Sequence, residues 1–159
     1  KEGEIWKRGV VFVKEIVPKW ALTFVANTIY KEHYQTLPMR HKWNVDSDSQ
    51  QIIYEWKSRK EWQKLSVIAD SNPGLIAAGS EAEFITEHYW GYTRIHESKT
   101  FEYQVTHPKW QQYPVRDYTI EVDFGKVYGD EFSFLNGQSP ESVMLAEGSE
   151  ITVEPKKQI

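Results

Sequence analysis

The chain has 159 residues, of which 40% are hydrophobic and 14% are aromatic, and its formal net charge at pH 7 is −4. This length suits one domain with a buried core, and the acidic balance counts against general nucleic-acid binding, which depends on a basic surface. No run approaches the roughly 18 consecutive apolar residues of a membrane-spanning helix, and the absence of cysteine excludes disulfides and thiolate metal sites, so we expect a cytoplasmic protein.

The first half of the chain predicts a strand, a helix and three antiparallel strands. Residues 9–17, GVVFVKEIV, are β-rich and mostly apolar, which is typical of a buried strand. Pro18 suits the first turn of a helix, and apolar residues recur at helical spacing as far as Lys31. The runs RHKWNVD, QQIIYEWKS and WQKLSVIAD follow, and the short polar links between them predict an antiparallel meander.

The second half predicts a short helix, a hairpin, a strand and a closing hairpin. Ser80 followed by Glu83 is a capping box, which predicts a helix from about Glu81 to Tyr89. Residues 91–107 predict a hairpin that turns at 97–99, residues 115–124 a strand, and 125–135 a short helix or turn. Residues 143–155 predict a closing hairpin that pivots on Gly148. The expected fold class is therefore α+β and β-dominated, with mainly antiparallel sheet and two or three short helices.

The common cofactor and metal motifs are missing. The five histidines, at positions 33, 41, 88, 96 and 107, include no pair four residues apart, so the zinc-protease arrangement is absent. The segment DSDSQQIIYEWK begins like a calcium loop, yet Gln51 stands where glycine is needed and Lys57 where the bidentate glutamate belongs. There is no glycine-rich phosphate loop and no dinucleotide fingerprint. We expect neither a metal nor a cofactor.

The segment FITEHYWGYTRI, Phe84–Ile95, concentrates the residues that could do chemistry. Helical spacing makes Glu87 a candidate buried acid and His88 a candidate acid/base group, because imidazole titrates near neutral pH. On the following strand Tyr92 and Arg94 share one side. Arg94 could orient a small acid or carbonyl compound, or it could form a buried ion pair with Glu87 that fixes the helix to the hairpin.

Two further segments supply candidate site residues. His107 ends a strand before a proline and precedes Trp110, which favours either a rigid corner or the rim of a pocket. His33 and Tyr34 lie just past the first helix, where a lone histidine often partners the helix dipole. Tyr89 is an additional aromatic wall residue.

Several segments together carry a family resemblance: RGVVFVKEIVP, LPMRH, GSEAEFITEHYWGYTRI, THPKW and MLAEGSEITV. In them the chain resembles the YqjF-like family of uncharacterised conserved proteins, which is similar to the acetoacetate decarboxylase-like superfamily. The resemblance implies curved, mainly antiparallel sheets that wrap into a cone or barrel around a small-molecule pocket. Members carry a portion ahead of the first strand, so residues 1–159 are expected to be a single domain that forms the C-terminal two thirds of a longer one.

The resemblance also bears on catalysis. Decarboxylases of that superfamily use a lysine that forms a Schiff base with a keto acid, helped by a neighbouring lysine. The matching positions here hold His33 and Tyr34, neither of which can form a Schiff base. Acetoacetate-type decarboxylation is therefore not expected.

Three interpretations of function remain open. The first is a pocket protein for a small carboxylate- or carbonyl-containing molecule, whose ligand-binding residues are Tyr34, Glu87, Tyr89, Arg94, His107 and Trp110, with His33 as a further polar group. The second is an enzyme that uses His33 or His88 as a catalytic acid or base on such a substrate. The third is an interaction domain without a ligand, whose aromatic residues serve a homo-oligomer interface.

Overall fold

The computed structural model describes residues 6–159, which are divided between two compact units. Unit 1 comprises the chain up to Gln35 together with Ile76–Trp110 and Gly148–Ile159, and unit 2 comprises Thr36–Leu75 and Gln111–Glu147. The prediction of a β-dominated α+β fold with mainly antiparallel sheets and short helices is confirmed. Residues 6–159 contain no closed barrel.

The elements are short apart from the strands of two hairpins. In chain order the strands are β1 (Gly9–Val10), β2 (Glu15–Val17), β3 (Tyr34–Thr36), β4 (Met39–Val45), β5 (Ser49–Ser58), β6 (Glu61–Asp70), β7 (Gly74–Leu75), β8 (Trp90–His96), β9 (Lys99–Thr106), β10 (Gln111–Tyr113), β11 (Val115–Glu121), β12 (Leu145–Ala146), β13 (Thr152–Val153) and β14 (Lys157–Gln158). The helices are α1 (Trp20–Val25), α2 (Glu81–Thr86) and α3 (Phe124–Tyr128), with a π-helical turn at Ala26–Tyr30 and a 3-10 turn at Asp130–Leu135.

Unit 1 is organised around the β8–β9 hairpin, which turns where the sequence predicts. β1 pairs with β8 in parallel, while β13 and β14 both pair antiparallel with β9. The predicted closing hairpin over residues 143–155 is wrong, because β12 pairs with β10 and β13 pairs with β9. Gly148 has a φ of +72° and does turn the chain. The strands on its two sides, however, pair with other strands and not with each other.

The predicted single buried strand at residues 9–17 is also wrong. It is split into β1 and β2, and between them Val11 and Val13 are 70% and 56% exposed. The two pieces have different neighbours, since β1 pairs with β8 and β2 with β3. One apolar run can therefore contribute strands to two sheets. Each short strand needs only a few backbone hydrogen bonds, and a different neighbouring strand can supply them.

Both predicted helices exist; the first ends where it was predicted to end, and the second ends earlier. α1 begins two residues after Pro18 and widens into the π-helical turn, which ends at Lys31 in the left-handed conformation with φ 64°. α2 ends at Thr86 rather than Tyr89. The Thr86 hydroxyl donates a 2.8 Å hydrogen bond to the Ala82 carbonyl, a local bond that competes with helix continuation.

Unit 2 contains the predicted meander as a four-stranded antiparallel sheet in the order β11–β6–β5–β4. One face carries a cross-strand row of alternating charges, Arg40, Glu55, Lys64 and Glu121. Arg40 binds Glu55 through two hydrogen bonds of 2.7 and 2.8 Å, and Lys64 binds Glu121 at 2.7 Å. Such a row marks a solvated face, so the opposite, apolar face holds the core residues of this sheet.

Candidate functional site

A cavity of about 430 Å³ in unit 1 is the best candidate for a functional site. Most of its wall is apolar or aromatic, from residues such as Phe12, Ile85, Trp90, Val105 and Ile151. A few polar side chains join this wall: Glu15, Tyr34, Thr86, His88, Tyr103 and His107. This combination of an apolar wall with a few convergent polar groups is the common composition of small-molecule sites.

Glu15 is the most unusual of these polar groups. Its backbone N–H donates to the His33 carbonyl at 3.1 Å, which aligns β2 with the chain that enters β3. Its side-chain atom Oε2 is buried and has no hydrogen-bond partner among the described residues. Burial raises the pKa of the Glu15 carboxyl, the nearby Glu32 raises it further, and a contact with Tyr34 opposes them. Glu15 therefore binds a proton more readily than an exposed glutamate does.

Glu32 lies beside Glu15 but is satisfied by its neighbours. It follows the left-handed residue Lys31, and only 6% of its surface is exposed. Thr93 donates a short hydrogen bond to its Oε1 atom. The Tyr103 hydroxyl also interacts with Glu32, and burial together with this interaction raises the pKa of Tyr103.

Two local features position the tyrosines. The Asn27 side chain binds the backbone of Tyr34 twice, donating to its carbonyl at 2.9 Å and accepting from its N–H at 2.8 Å. Tyr103 lies directly opposite Gly91 in the β8–β9 pair, and a Cβ atom at Gly91 would collide with its ring. Burial raises the pKa of Tyr34, and its contact with Glu15 adds to the effect, so both hydroxyls stay protonated and act as donors.

The two histidines at the cavity are oriented by backbone carbonyls. His88 Nδ1 lies 2.8 Å from the Ile85 carbonyl, and His107 Nδ1 lies 2.9 Å from the Pro108 carbonyl. A carbonyl only accepts hydrogen bonds, so Nδ1 carries the proton and Nε2 of each neutral ring is left as an acceptor. The His107 ring also stacks on Trp110 at 4.3 Å between centroids.

The structure brings four of the predicted site residues together at this cavity: Tyr34, His88, His107 and Trp110. Glu87 and Tyr89 line a separate hollow of about 550 Å³ instead. There the Tyr89 hydroxyl donates to Glu87 at 2.6 Å, which raises the pKa of Tyr89 to about 12. These two residues form a tyrosine–carboxylate pair outside the cavity.

The other two predicted site residues are exposed and line neither hollow. His33 stands between the inward-facing Glu32 and Tyr34, and neighbouring residues of an extended chain point to opposite sides. Arg94 follows the buried Thr93 and faces away from it for the same reason. The Glu87 carboxylate lies 4.0 Å from Lys109 and makes no ion pair with Arg94 in the described part of the chain.

Five polar residues at or beside the cavity are absent from the sequence prediction: Glu15, Glu32, Thr86, Thr93 and Tyr103. The sequence does contain one signal for Glu15. Residues 12–17 are apolar except for Lys14 and Glu15, so a charged side chain is expected near a buried strand. Across residues 6–159 there is no group of three or more histidines and carboxylates that could hold a metal ion. No helix in this part of the chain has the length and apolar character needed to cross a membrane.

Comparison with known proteins gives one family and no closer relative. The model of the family DUF2071, described as an uncharacterized conserved protein, matches residues 2–150. No curated protein and no solved structure matches the chain.

Proposed function

The chain belongs to the DUF2071 family of uncharacterized conserved proteins, and we propose that it binds a small, largely apolar, carbonyl-containing molecule in the cavity beside Glu15. The observation that carries the proposal is Glu15, whose side chain lines the largely apolar cavity and whose Oε2 atom is buried without a partner among the described residues. Leaving a buried polar atom unpaired costs about 1–3 kcal/mol, which a ligand group could recover.

The charges around the cavity favour a carbonyl over a carboxylate. Glu15 and Glu32 lie close enough for each to affect the other electrostatically, and no lysine or arginine is among the described lining residues. A ligand carboxylate would lie near the Glu32 carboxylate with no lysine or arginine in the described lining to offset its charge, which disfavours its ionised form. A ketone or aldehyde oxygen, in contrast, accepts a hydrogen bond from a protonated Glu15 or from a tyrosine hydroxyl.

The test is thermal unfolding of the protein with a panel of neutral ketones and aldehydes and of carboxylates of matched size. A ligand held at about 100 times its Kd adds about 2.7 kcal/mol of stability. We expect the neutral compounds to raise the Tm and the carboxylates to have less effect. Glu15→Gln, which remains a neutral donor, should keep the shift, whereas Glu15→Leu should lose it.

The exposed residue Glu97, in the β8–β9 turn, provides the matched control. Glu97→Gln and Glu97→Leu should both behave like the unaltered protein in the same panel. A panel in which carboxylates stabilise the protein more than ketones do would contradict the proposal. So would a Glu15→Leu variant that is folded and still shows the full shift.

A second candidate function is an enzyme that removes a proton next to a ligand carbonyl. The observation in its favour is that His88 lines the same cavity as Glu15 and Tyr34, with its Nε2 atom left as an acceptor. His88 would take the α-proton while a protonated Glu15 or a tyrosine hydroxyl donates to the carbonyl oxygen, giving an enol. His33, the other predicted catalytic histidine, lies outside this arrangement.

Exchange of α-hydrogen for deuterium, followed by NMR in heavy water, tests the enzyme without knowledge of its natural substrate. A ketone that raises the Tm should exchange faster with the protein than in buffer, and His88→Ala should remove the acceleration while the Tm shift remains. Binding without accelerated exchange would leave the protein as a binding module.

Two wider proposals rest on the sequence. The resemblance to the acetoacetate decarboxylase-like superfamily supports a common origin for this cavity and the superfamily's pocket, without the Schiff-base lysine. The cysteine-free composition supports a cytoplasmic location. An experimental structure and cell fractionation, respectively, test these two proposals.

A further inference from the structure

Unit 1 contains a second cavity, of about 380 Å³, whose lining overlaps that of the first. Four side chains line both cavities: Tyr34, Tyr103, Ile151 and Val153. Beyond them the second cavity is lined mainly by apolar residues of β2, α1 and the π-helical turn: Val17, Leu22, Val25, Ala26 and Tyr30. Glu32 is the only charged side chain in its described lining.

The four shared side chains differ in how firmly they are held. Tyr34 and Tyr103 interact through their hydroxyls with Glu15 and Glu32, so their rings are fixed at both ends. The aliphatic side chain of Ile151 is 54% exposed and that of Val153 is 38% exposed, and neither has a polar tie. Of the four side chains that both cavities share, Ile151 and Val153 are therefore the ones that a ligand could most easily displace or pack against.

The second cavity also has apolar surface that nothing in the described chain covers. Leu22 is 50% exposed and Val25 is 43% exposed, although both line the cavity. Burying a methylene group against such surface is worth about 0.8 kcal/mol, which is close to a fourfold change in affinity. A polar or charged group would gain nothing there.

From this arrangement we propose that the ligand is elongated, with its carbonyl beside Glu15 and an unbranched alkyl tail that passes Ile151 and Val153 into the second cavity. This inference rests on the proposed function and adds the ligand class to it. The first cavity recognises the polar end, and the second selects for the length of the tail. Ala26 and Val25 are then residues that determine specificity for length.

The experiment is a series of methyl ketones from acetone to 2-decanone, with Kd measured by ligand-observed NMR on the full chain. We expect Kd to fall about fourfold with each added methylene until the second cavity is filled, and then to level off. In Ala26→Phe the new ring occupies the second cavity, so the fall should stop several carbons earlier while the affinity for acetone is unchanged.

Ala21→Phe is the matched control, because Ala21 is exposed and lies outside the described lining of both cavities. It should leave the whole series unchanged. If Ala26→Phe does not fold, Val25→Phe tests the same cavity from the neighbouring position, with the Tm as the check on folding.

The outcomes separate this inference from the proposed function. Ketones that bind with the same Kd at every chain length would overturn the inference and leave the proposed function intact. A length dependence that Ala26→Phe and Val25→Phe both leave unaltered would also overturn it. No binding by any ketone would overturn the proposed function itself.

Discussion

Glu15 lines the first cavity and Glu32 lines the second, and the two carboxyls differ in how their oxygens are satisfied. Glu32 receives a hydrogen bond from Thr93 and interacts with Tyr103, so its carboxylate has partners. Glu15 has the Tyr34 contact and one buried oxygen without a partner. Two carboxylates in one apolar region do not ionise equally well, and the less satisfied one holds its proton to higher pH. Glu15 is therefore the carboxyl that can keep its proton and donate a hydrogen bond.

The pH dependence of stability should report this state of Glu15. Its pKa is raised in the folded protein, chiefly by burial, so its stabilising contribution is fully present below the unfolded pKa and is lost as pH rises through the folded pKa. Glu15→Gln cannot ionise, so we expect it to exceed the unaltered protein in free energy of unfolding at about pH 8, on the order of 1 kcal/mol because the site is partly screened. The two should converge near pH 4.

Urea denaturation at several pH values measures that difference. The other ionisable side chains at the two cavities are Glu32, His88 and His107. Tyr34 and Tyr103 stay protonated throughout the range. The same series on Glu97→Gln, an exposed glutamate, corrects for the general effect of losing a negative charge. A constant difference between Glu15→Gln and the unaltered protein from pH 4 to pH 8 would rule out a raised pKa.

For single residues, the sequence shows which side chains could take part in a site better than it shows which way each side chain points. His33 and Tyr34 were both chosen from one short segment, yet only Tyr34 lines the cavity. The difference depends on the left-handed Lys31, which sets the alternation so that Glu32 and Tyr34 face inward. A positive φ at a lysine has no sequence signature, since this conformation favours glycine or asparagine.

The helices show how much a local signal can establish. The Ser80 hydroxyl accepts from the Glu83 N–H at 3.1 Å, as the capping box predicts. The return bond differs, because Glu83 Oε2 accepts from the Gly79 N–H at 2.8 Å instead of from Ser80. The start of α2 was predictable because it depends on four adjacent residues. Its end was not, because it depends on the Thr86 side chain and on where β8 must begin.

Removing this cap tests how much α2 contributes to the cavity wall. Ser80→Ala should lower the free energy of unfolding by about 1 kcal/mol, since the Glu83 N–H loses its acceptor. Because Ile85 and Thr86 of α2 line the cavity, the variant should also weaken ketone binding. Chemical denaturation and the ketone titration measure the two effects. Ser142→Ala removes an exposed loop serine and should change neither the free energy of unfolding nor the affinity for ketones. An equal loss of stability in both variants would contradict a specific contribution from the Ser80 cap.

At the scale of the whole chain, we propose that the expected homo-oligomer forms through the four-stranded sheet of unit 2. Trp43, Ile52, Val67 and Tyr118 form one cross-strand row on the face of the four-stranded sheet opposite the charged row. Ile52, in the middle of this row, belongs to the core and is only 7% exposed, whereas Trp43 and Tyr118, on the two outer strands, are 60% and 41% exposed. Large exposed aromatic side chains on one face are typical of interaction surfaces.

Light scattering coupled to size-exclusion chromatography tests that expectation over a range of protein concentrations. We expect a dimer that dissociates on dilution, and we expect Trp43→Lys to be monomeric at every concentration because a charge would be buried in the interface. Asn44→Lys adds the same charge on the opposite face and should still dimerise. A monomer at all concentrations without any substitution would contradict the expectation.

The arrangement of strands into two units was the part that the sequence could not predict. Hairpins such as β8–β9 and β5–β6 depend on neighbouring residues, and their turns were recognisable. The pairing of β1 with β8, or of β13 with β9, joins residues far apart in the chain and involves strands of two residues. Strands this short have too few positions for an alternation of polar and apolar residues to be visible.

The interleaving of the two units has a consequence for how the chain folds. The first cavity takes its walls from Val10, Tyr34, Tyr103 and Val153, and it depends on the pairing of β1 with β8, which joins Gly9 to Trp90 far along the chain. Contacts at such sequence separation form slowly, because the entropy of closing the intervening chain is lost before the contact is gained. Until β13 pairs with β9, the apolar walls face water together with an unpaired strand edge, and exposure of this kind makes a partly folded chain prone to aggregation.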